Sequence, residues 1–164
     1  MKLTLFMVDI DGCIADARHR YMQAGAEPEG SKVGTPYTTW LTAIMDHSLM
    51  AVDPPVPGMA ALLDALDIEG HIIVFVTSRE ESHRFVTEKW LDDNGFLELG
   101  VGVIMRPLGS LLPDYVLKEQ AVDTLITEFR PDAVVVLDDD LRGGLAKVCV
   151  KNGWTMLKVQ GFSL

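Results

Sequence analysis

Acidic residues follow directly after two short apolar runs of the sequence, and they are Asp9, Asp11, Asp138, Asp139 and Asp140. Carboxylates that are packed together repel one another, and their pKa values rise. A divalent cation removes that cost, and magnesium binds one or two carboxylates and completes its shell with water and phosphate oxygens. The two clusters therefore predict a magnesium site that receives a phosphate. Taken singly, such an aspartate is as often a turn residue or a helix N-cap, and Asp140 suits that role.

Polar side chains also follow two further apolar runs, and they are Thr77, Ser78, Arg79 and Arg106. The guanidinium group presents a fork of donors that matches phosphate oxygens, so both arginines are candidate substrate ligands at the mouth of a crevice. The alternative is that each arginine is a surface residue that pairs with an acidic neighbour, either Glu80 or Asp114.

Five apolar runs have the length of strands, and they cover residues 3–8, 71–76, 101–105, 133–137 and 155–159. Apolar residues are continuous in these runs, which is typical of strands buried on both faces. Helical spacing of apolar residues fills the intervals, at 57–67, 80–94, 114–129 and 141–152. The alternation predicts an α/β fold with a Rossmann-like, parallel sheet of about five strands flanked by helices. Ligands bind beyond the carboxyl ends of such strands, so the polar residues named above should converge on one crevice.

Residues 15–57 are the irregular part of the sequence, because glycine and proline recur there. We expect a single domain over residues 1–164, with 15–57 as a small cap inserted after the first strand. A short helix is expected over about residues 37–50. The insertion also holds three aromatic residues, Tyr21, Tyr37 and Trp40. Aromatic side chains can stack on a base, but those of a small insertion more often anchor the lid itself.

Composition excludes several classes of function. The net charge is −10, from 24 acidic and 14 basic residues, which argues against extended contact with duplex nucleic acid. The apolar runs are far shorter than the roughly 20 residues of a membrane span, and the N-terminus lacks a signal-peptide pattern. We therefore expect a cytoplasmic protein without membrane contact, whose two cysteines, Cys13 and Cys149, are ordinary reduced thiols.

Residues 8–12, Val-Asp-Ile-Asp-Gly, resemble the DxDG signature of the haloacid-dehalogenase superfamily. Thr77 stands where that family has a serine or threonine after its second strand. Lys118 matches the family's lysine, and Asp138 with Asp139 matches its terminal acidic pair. All four motifs occur in the family's order and together span nearly the whole chain.

This resemblance implies a magnesium-dependent phosphatase that forms an aspartyl-phosphate. Asp9 would attack phosphorus, and Asp11 would protonate the leaving oxygen and then activate water. Asp9, the backbone carbonyl of Asp11 and Asp139 would bind the metal. Asp138 would orient the metal shell or Lys118, although Asp138 remains an alternative to Asp139 as the direct ligand.

Residues 77–80, Thr-Ser-Arg-Glu, are similar to the Ser-Gly-Arg-Glu element in the 3′-phosphatase domain of phage polynucleotide kinase. That domain also has a basic residue after its third strand, as Arg106 is here, and an aspartate three to four residues before its lysine, as Asp114 is. The sequence has no P-loop pattern, so a kinase half is not expected. The similarity implies a phosphorylated nucleotide or a nucleic-acid 3′-phosphate end as substrate. Together, the two resemblances imply that the substrate ligands are Thr77, Ser78, Arg79, Arg106 and Lys118. Lys118 would also be catalytic, because it would neutralise Asp9.

Two other functions remain open at this point. One is a 5′-nucleotidase that acts on deoxynucleoside monophosphates. The other is a domain of the same fold that binds a phosphorylated ligand or partner without catalysis. Metal-dependent turnover of 3′- and 5′-phosphorylated substrates distinguishes all three. The sequence does not indicate an oligomeric state.

Overall fold

A parallel sheet of five strands forms the centre of the protein. The computed structural model describes residues 2–25, 35–140 and 142–159. The strands are β1 (Thr4–Val8), β2 (Ile72–Glu80), β3 (Val103–Arg106), β4 (Ala133–Asp138) and β5 (Thr155–Lys158). Their order across the sheet is β3-β2-β1-β4-β5, and every neighbouring pair is parallel. The predicted α/β fold with a parallel sheet of about five strands is confirmed.

Helices connect the strands and flank the sheet. They are α1 (Arg18–Ala24), α2 (Thr35–Ile44), α3 (His47–Met50), α4 (Met59–Ile68), α5 (Arg84–Asp93), α6 (Asp114–Phe129) and α7 (Gly144–Asn152). Two short 3-10 segments, Glu81–His83 and Leu97–Leu99, lie on either side of α5. None of the helices in the described ranges is long and apolar enough to cross a membrane.

The sheet is buried on both faces, as the continuous apolar runs predict. Alternate residues of β1 point to opposite faces, so Leu5 packs in one cluster of buried residues and Phe6 in the other. Leu63 of α4 and Trp90 of α5 cover the face of Phe6. Helices α6 and α7 cover the face of Leu5, where Val122 is fully buried.

Several element boundaries differ from the prediction, and two of the differences have a visible local cause. The single helix expected over about residues 37–50 is divided into α2 and α3. The cause is Asp46, whose carboxylate accepts hydrogen bonds from the backbone N–H of Ser48 and Leu49 and so begins a new helix. The helix expected from residue 80 begins at Arg84, because β2 continues through Glu80 with an irregular register against β3.

Candidate active site

Asp9 lies at the carboxyl end of the central strand and contacts a buried lysine. Val8 pairs with Phe75 of β2 and with Leu137 of β4, so the next residue emerges between the ends of three strands. The Lys118 Nζ is 3.2 Å from Asp9 Oδ2. Both side chains are nearly inaccessible to solvent, which places a carboxylate and a cation together at low dielectric.

Lys118 also contacts the acidic pair that ends β4 and an aspartate of its own helix. Its Nζ donates to Asp138 Oδ2 at 2.6 Å and lies 3.0 Å from Asp114 Oδ2. The other oxygen of Asp138 accepts a hydrogen bond from the backbone N–H of Asp140 at 2.6 Å. Both oxygens of Asp138 are therefore engaged, which suits an orienting residue.

Asp9, Asp138 and Asp139 form a cluster that could hold a cation. Each offers a carboxylate oxygen, and these oxygens lie within 4.8 Å of one another. Burial raises the pKa of Asp9 well above its usual value, Lys118 opposes the rise, and Asp138 adds to it. Burial and the charge of Asp138 raise the pKa of Asp139 to about 6. Ionising the cluster is therefore costly, and a divalent cation would relieve the cost.

Gly12 allows the two acidic segments to approach each other. Its φ of +80° lies in the left-handed region that favours glycine. A Cβ built at this position would overlap the Asp139 carboxylate. Two local features thus favour glycine after the DxD pattern, a turn conformation and the close approach of the Asp139 carboxylate.

Asp11 is held by two arginines that are fully buried. The Arg79 Nε and Nη2 donate to its two oxygens at 2.9 and 2.7 Å, and the Arg20 Nη2 donates to one of them. Both guanidinium groups also contact Asp53, at 2.8 Å from Arg20 and 3.3 Å from Arg79. The Thr87 hydroxyl accepts a further hydrogen bond from Arg79.

This arrangement keeps Asp11 ionised. Burial alone would raise the pKa of Asp11, but Arg79 and Arg20 hold it well below its usual value. Asp11 is therefore ionised in this structure, and the same contacts lower its affinity for a proton.

Arg79 lies deeper than the mouth of a crevice, where the sequence interpretation put it, and Arg106 is half-buried and bound to backbone carbonyls. Arg79 is completely buried beside Asp11. The Arg106 guanidinium donates to the backbone carbonyls of Ser78, Ser110 and Leu112 at 3.1, 3.2 and 2.7 Å. Their predicted roles as substrate ligands stay predictions.

Thr77 and Ser78 lie in the last part of β2, beside the acidic cluster. Thr77 is buried, and its hydroxyl accepts a hydrogen bond from the backbone N–H of Arg79 at 3.2 Å. The Ser78 hydroxyl donates to the Asp114 carboxylate, which links β2 to the start of α6. Asp140 accepts hydrogen bonds from the backbone N–H of Leu145 and Ala146, at the start of α7. The alternative helix-capping reading of Asp140 thus matches its contacts.

The aromatic residues of the insertion lie close together. The ring of Trp40 is 6.2 Å from that of Tyr21 and 5.7 Å from that of Tyr37, between ring centres. The Trp40 indole N–H donates to the backbone carbonyl of Gly25 at 3.0 Å. These contacts join α1 to α2 and favour the anchoring role; stacking on a base stays a prediction.

Sequence reasoning missed Arg20 and Asp53. Arg20 lies among polar residues of a segment that has no helical apolar pattern, and Asp53 precedes two prolines, which is typical of a turn. Their pairing joins residues 33 positions apart, so no local pattern could indicate it. The one available signal was the excess of acidic residues around the first strand, because buried carboxylates require buried cations near them.

Known proteins resemble this chain in structure more than in sequence. No family model matches the chain, and no curated protein matches it. Solved structures do match. One is the structure of a Pnkp1/Rnl/Hen1 complex, with a TM-score of 0.64 and 19% identity, over 95% of this chain and 45% of the other. This chain thus spans less than half of that polypeptide.

Two further structures match over most of both chains. A class C acid phosphatase from Bacillus anthracis with tungstate bound has a TM-score of 0.62 and 13% identity, over 99% of this chain and 69% of the other. CbbY from Rhodobacter sphaeroides in complex with phosphate has a TM-score of 0.63 and 17% identity, over 95% and 85%. These likenesses confirm the Rossmann-like fold of this chain, and its resemblance to the haloacid-dehalogenase superfamily agrees with them.

Proposed function

We propose that this protein is a phosphomonoesterase that depends on a divalent cation and uses Asp9 as its nucleophile. The observation that carries the proposal is the contact of the Asp9 carboxylate with Lys118, inside a cluster of three carboxylates at the end of the central strands. Such a group has the charge and position to attack a phosphorus atom whose oxygens are neutralised by neighbouring cations.

Magnesium is the metal we propose for this cluster. Its donor set is all oxygen, and the raised pKa values of Asp9 and Asp139 mean that a cation would stabilise their ionised forms. Asp9, Asp139 and the backbone carbonyl of Asp11 would hold it, and Asp138 would orient the site through Lys118. When bound, the ion neutralises oxygens of the transferred phosphate.

In the first step, an oxygen of Asp9 forms a bond to phosphorus while the ester P–O bond breaks. Lys118 and Thr77 would hold the phosphate oxygens. The leaving oxygen takes a proton from Asp11, and Asp9 carries the phosphoryl group. In the second step, water attacks phosphorus, Asp11 takes a proton from that water, and the bond between Asp9 and phosphorus breaks to release inorganic phosphate.

The pairing of Asp11 sets a condition on the first step. Arg79 and Arg20 hold the pKa of Asp11 low, so the proton would be available only when these contacts loosen. Esters with a good leaving group need no such proton and should react without this step. The second step uses Asp11 as a base, and its low pKa weakens it in that role as well, so the same loosening would favour both steps.

For the substrate, we propose a phosphorylated nucleotide or a nucleic-acid 3′-phosphate end. Residues 77–80 and Asp114 support it, through their similarity to a 3′-phosphatase domain. The likeness to a structure that contains Pnkp1 agrees with this choice. A panel of 3′- and 5′-phosphorylated nucleotides would separate it from a 5′-nucleotidase.

The test measures release of inorganic phosphate from that panel with magnesium, with calcium and with EDTA. We expect turnover with magnesium only, because calcium prefers six to eight ligands and a looser geometry. Asp9→Asn should lose essentially all turnover and remain folded. Asp92→Asn, at an exposed position of α5, is the matched control. Turnover by Asp9→Asn near that of Asp92→Asn, or equal rates with EDTA, would refute the mechanism.

A further inference from the structure

The cations that the structure places around Asp9 and Asp11 are already neutralised. Lys118 lies within 3.2 Å of three carboxylates, those of Asp9, Asp114 and Asp138. Arg20 and Arg79 each contact both Asp11 and Asp53. With Asp139, six carboxylates surround these three cations. One magnesium ion leaves the group still negative, so it has little attraction for charge beyond a single phosphate.

The Arg106 guanidinium is also engaged in hydrogen bonds, and these bonds hold a loop. Its three hydrogen bonds go to backbone carbonyls, one at the end of β2 and two in the segment 107–113 that precedes α6. The backbone N–H of Gly109 donates to Glu80 Oε1 at 3.3 Å and fastens the same segment to β2. The segment begins and ends with proline, which restricts its backbone further. Arg106 thus fixes the loop in one conformation.

This fixed loop presents apolar side chains to solvent. Leu108, Leu111, Leu112 and Tyr115 are 74%, 89%, 43% and 40% exposed, and we call these four residues the apolar rim. Single exposed leucines need no explanation, but four large apolar residues within eight positions form a patch. The Tyr115 ring lies so close to Gly144 that a Cβ there would be 2.7 Å from it, which holds the ring at the start of α7.

Two residues of the apolar rim flank a residue of the site in the chain. Asp114, which stands between Leu112 and Tyr115, is 3.0 Å from the Lys118 Nζ and is bound by the Ser78 hydroxyl. A leaving group that extends from Lys118 past Asp114 would meet Leu112 and Tyr115, the rim residues that flank it in the chain. An apolar surface favours a leaving group that sheds water easily and opposes one that bears a further charge.

We propose that the apolar rim receives the leaving group, and that the substrates of this site carry one phosphate on an uncharged, partly apolar group such as a nucleoside. This inference rests on the proposed phosphatase function and narrows it. A nucleoside that bears a second phosphate, or a longer polyanionic strand, is a poorer substrate, because the neutralised cations give its extra charge no partner.

The first test compares three esters on the wild-type protein with magnesium. They are a nucleoside 3′-monophosphate, the matching nucleoside 3′,5′-bisphosphate, and a ribose phosphate that lacks the base. We expect kcat/KM for the monophosphate to exceed both others by at least about tenfold, mainly through KM. Tenfold corresponds to about 1.4 kcal/mol. The preference over the bisphosphate should shrink as salt rises, because it is electrostatic. A bisphosphate or base-free ester that matches the monophosphate would overturn the proposal.

A second test uses Leu111→Ser with Ile68→Ser as control, since Ile68 is a comparably exposed residue at the end of α4. Leu111→Ser should reduce the preference for the monophosphate over the base-free ester at least about threefold, and Ile68→Ser should keep it. Equal preferences in the two variants would refute the role of the rim.

A binding measurement distinguishes failure of this inference from failure of the proposed function. If wild-type protein releases phosphate from no ester, the phosphatase proposal fails. Calorimetric titration of the Asp9→Asn variant with the same three esters then tests whether the apolar rim receives the leaving group. The same order of affinities supports the inference, and equal affinities or no binding overturn it.

Discussion

Removing Lys118 is expected to destabilise the protein far more than removing an exposed lysine with an equally close partner. Lys118 is 3% exposed, and the side chains of Asp9 and Asp138 are 9% and 2% exposed. Lys118→Met leaves both carboxylates buried without their counter-charge. Breaking a buried ion pair in this way costs about 3–5 kcal/mol of unfolding free energy. For a chain of this size, 1 kcal/mol shifts Tm by about 2–4 °C, so we expect a decrease of roughly 6–20 °C.

The matched control is Lys89→Met. Its Nζ lies 2.7 Å from Asp93 on α5, about as close as Lys118 is to Asp138, but both side chains are more than half exposed. Exposed helix pairs of this spacing contribute about 0.3–0.5 kcal/mol, so Tm should change by about 2 °C or less.

Thermal unfolding followed by circular dichroism at pH 8, in EDTA, measures both variants without a bound cation. Added magnesium should restore part of the stability lost in Lys118→Met, because a bound cation supplies the missing charge. If the two variants unfold within about 2 °C of each other, the buried lysine does not compensate the acidic cluster, and the electrostatic account of the site is wrong.

Two further predictions concern other parts of the structure. Gly12→Ala should lower the free energy of unfolding by more than Gly109→Ala in chemical denaturation, because both glycines have positive φ but only Gly12 also meets the Asp139 carboxylate; equal losses would show that the close approach is unimportant. Burial and His47, whose ring nitrogen is 2.7 Å from that of His83, lower the pKa of His83 from 6.5. The His83 ring is therefore harder to protonate in the folded state than in the unfolded state. The free energy of unfolding is at its full value above pH 6.5 and decreases as the pH falls below it. The Tm of His83→Gln minus the Tm of wild type should rise when the pH is lowered from 7.5 to 5.5. A Tm difference that stays the same at both pH values would contradict this assignment.

The sheet could be predicted because its evidence is local. Continuous apolar runs mark strands buried on both faces, and the segments between them have helical spacing. The positions of Asp9 and Asp138 follow from those strands, since parallel strands end at the same edge. The bounds of α6 were also predicted correctly, because residues 114–129 repeat apolar residues over four turns.

The surroundings of Asp11 could not be predicted, because they depend on pairings between distant residues. An arginine after a strand is typical of the surface, yet Arg79 is fully buried because Asp11 and Asp53 neutralise it. Arg20 comes from α1 and Asp53 from the turn before α4, and only tertiary packing brings them together. Arg106 donates to carbonyl groups that no sequence pattern reveals, and its role in binding substrate stays a prediction.

The central position of β1 determines when the molecule can fold during synthesis. Val8 pairs with Leu137, so one edge of β1 has no partner until almost the whole described sequence has left the ribosome. Pairing between such distant segments is slow, and a nascent chain that ends before β4 presents an apolar strand edge that can join another chain. Asp9 and Asp138 meet only through this pairing of β1 with β4. Truncated chains should therefore aggregate rather than form a partly active enzyme.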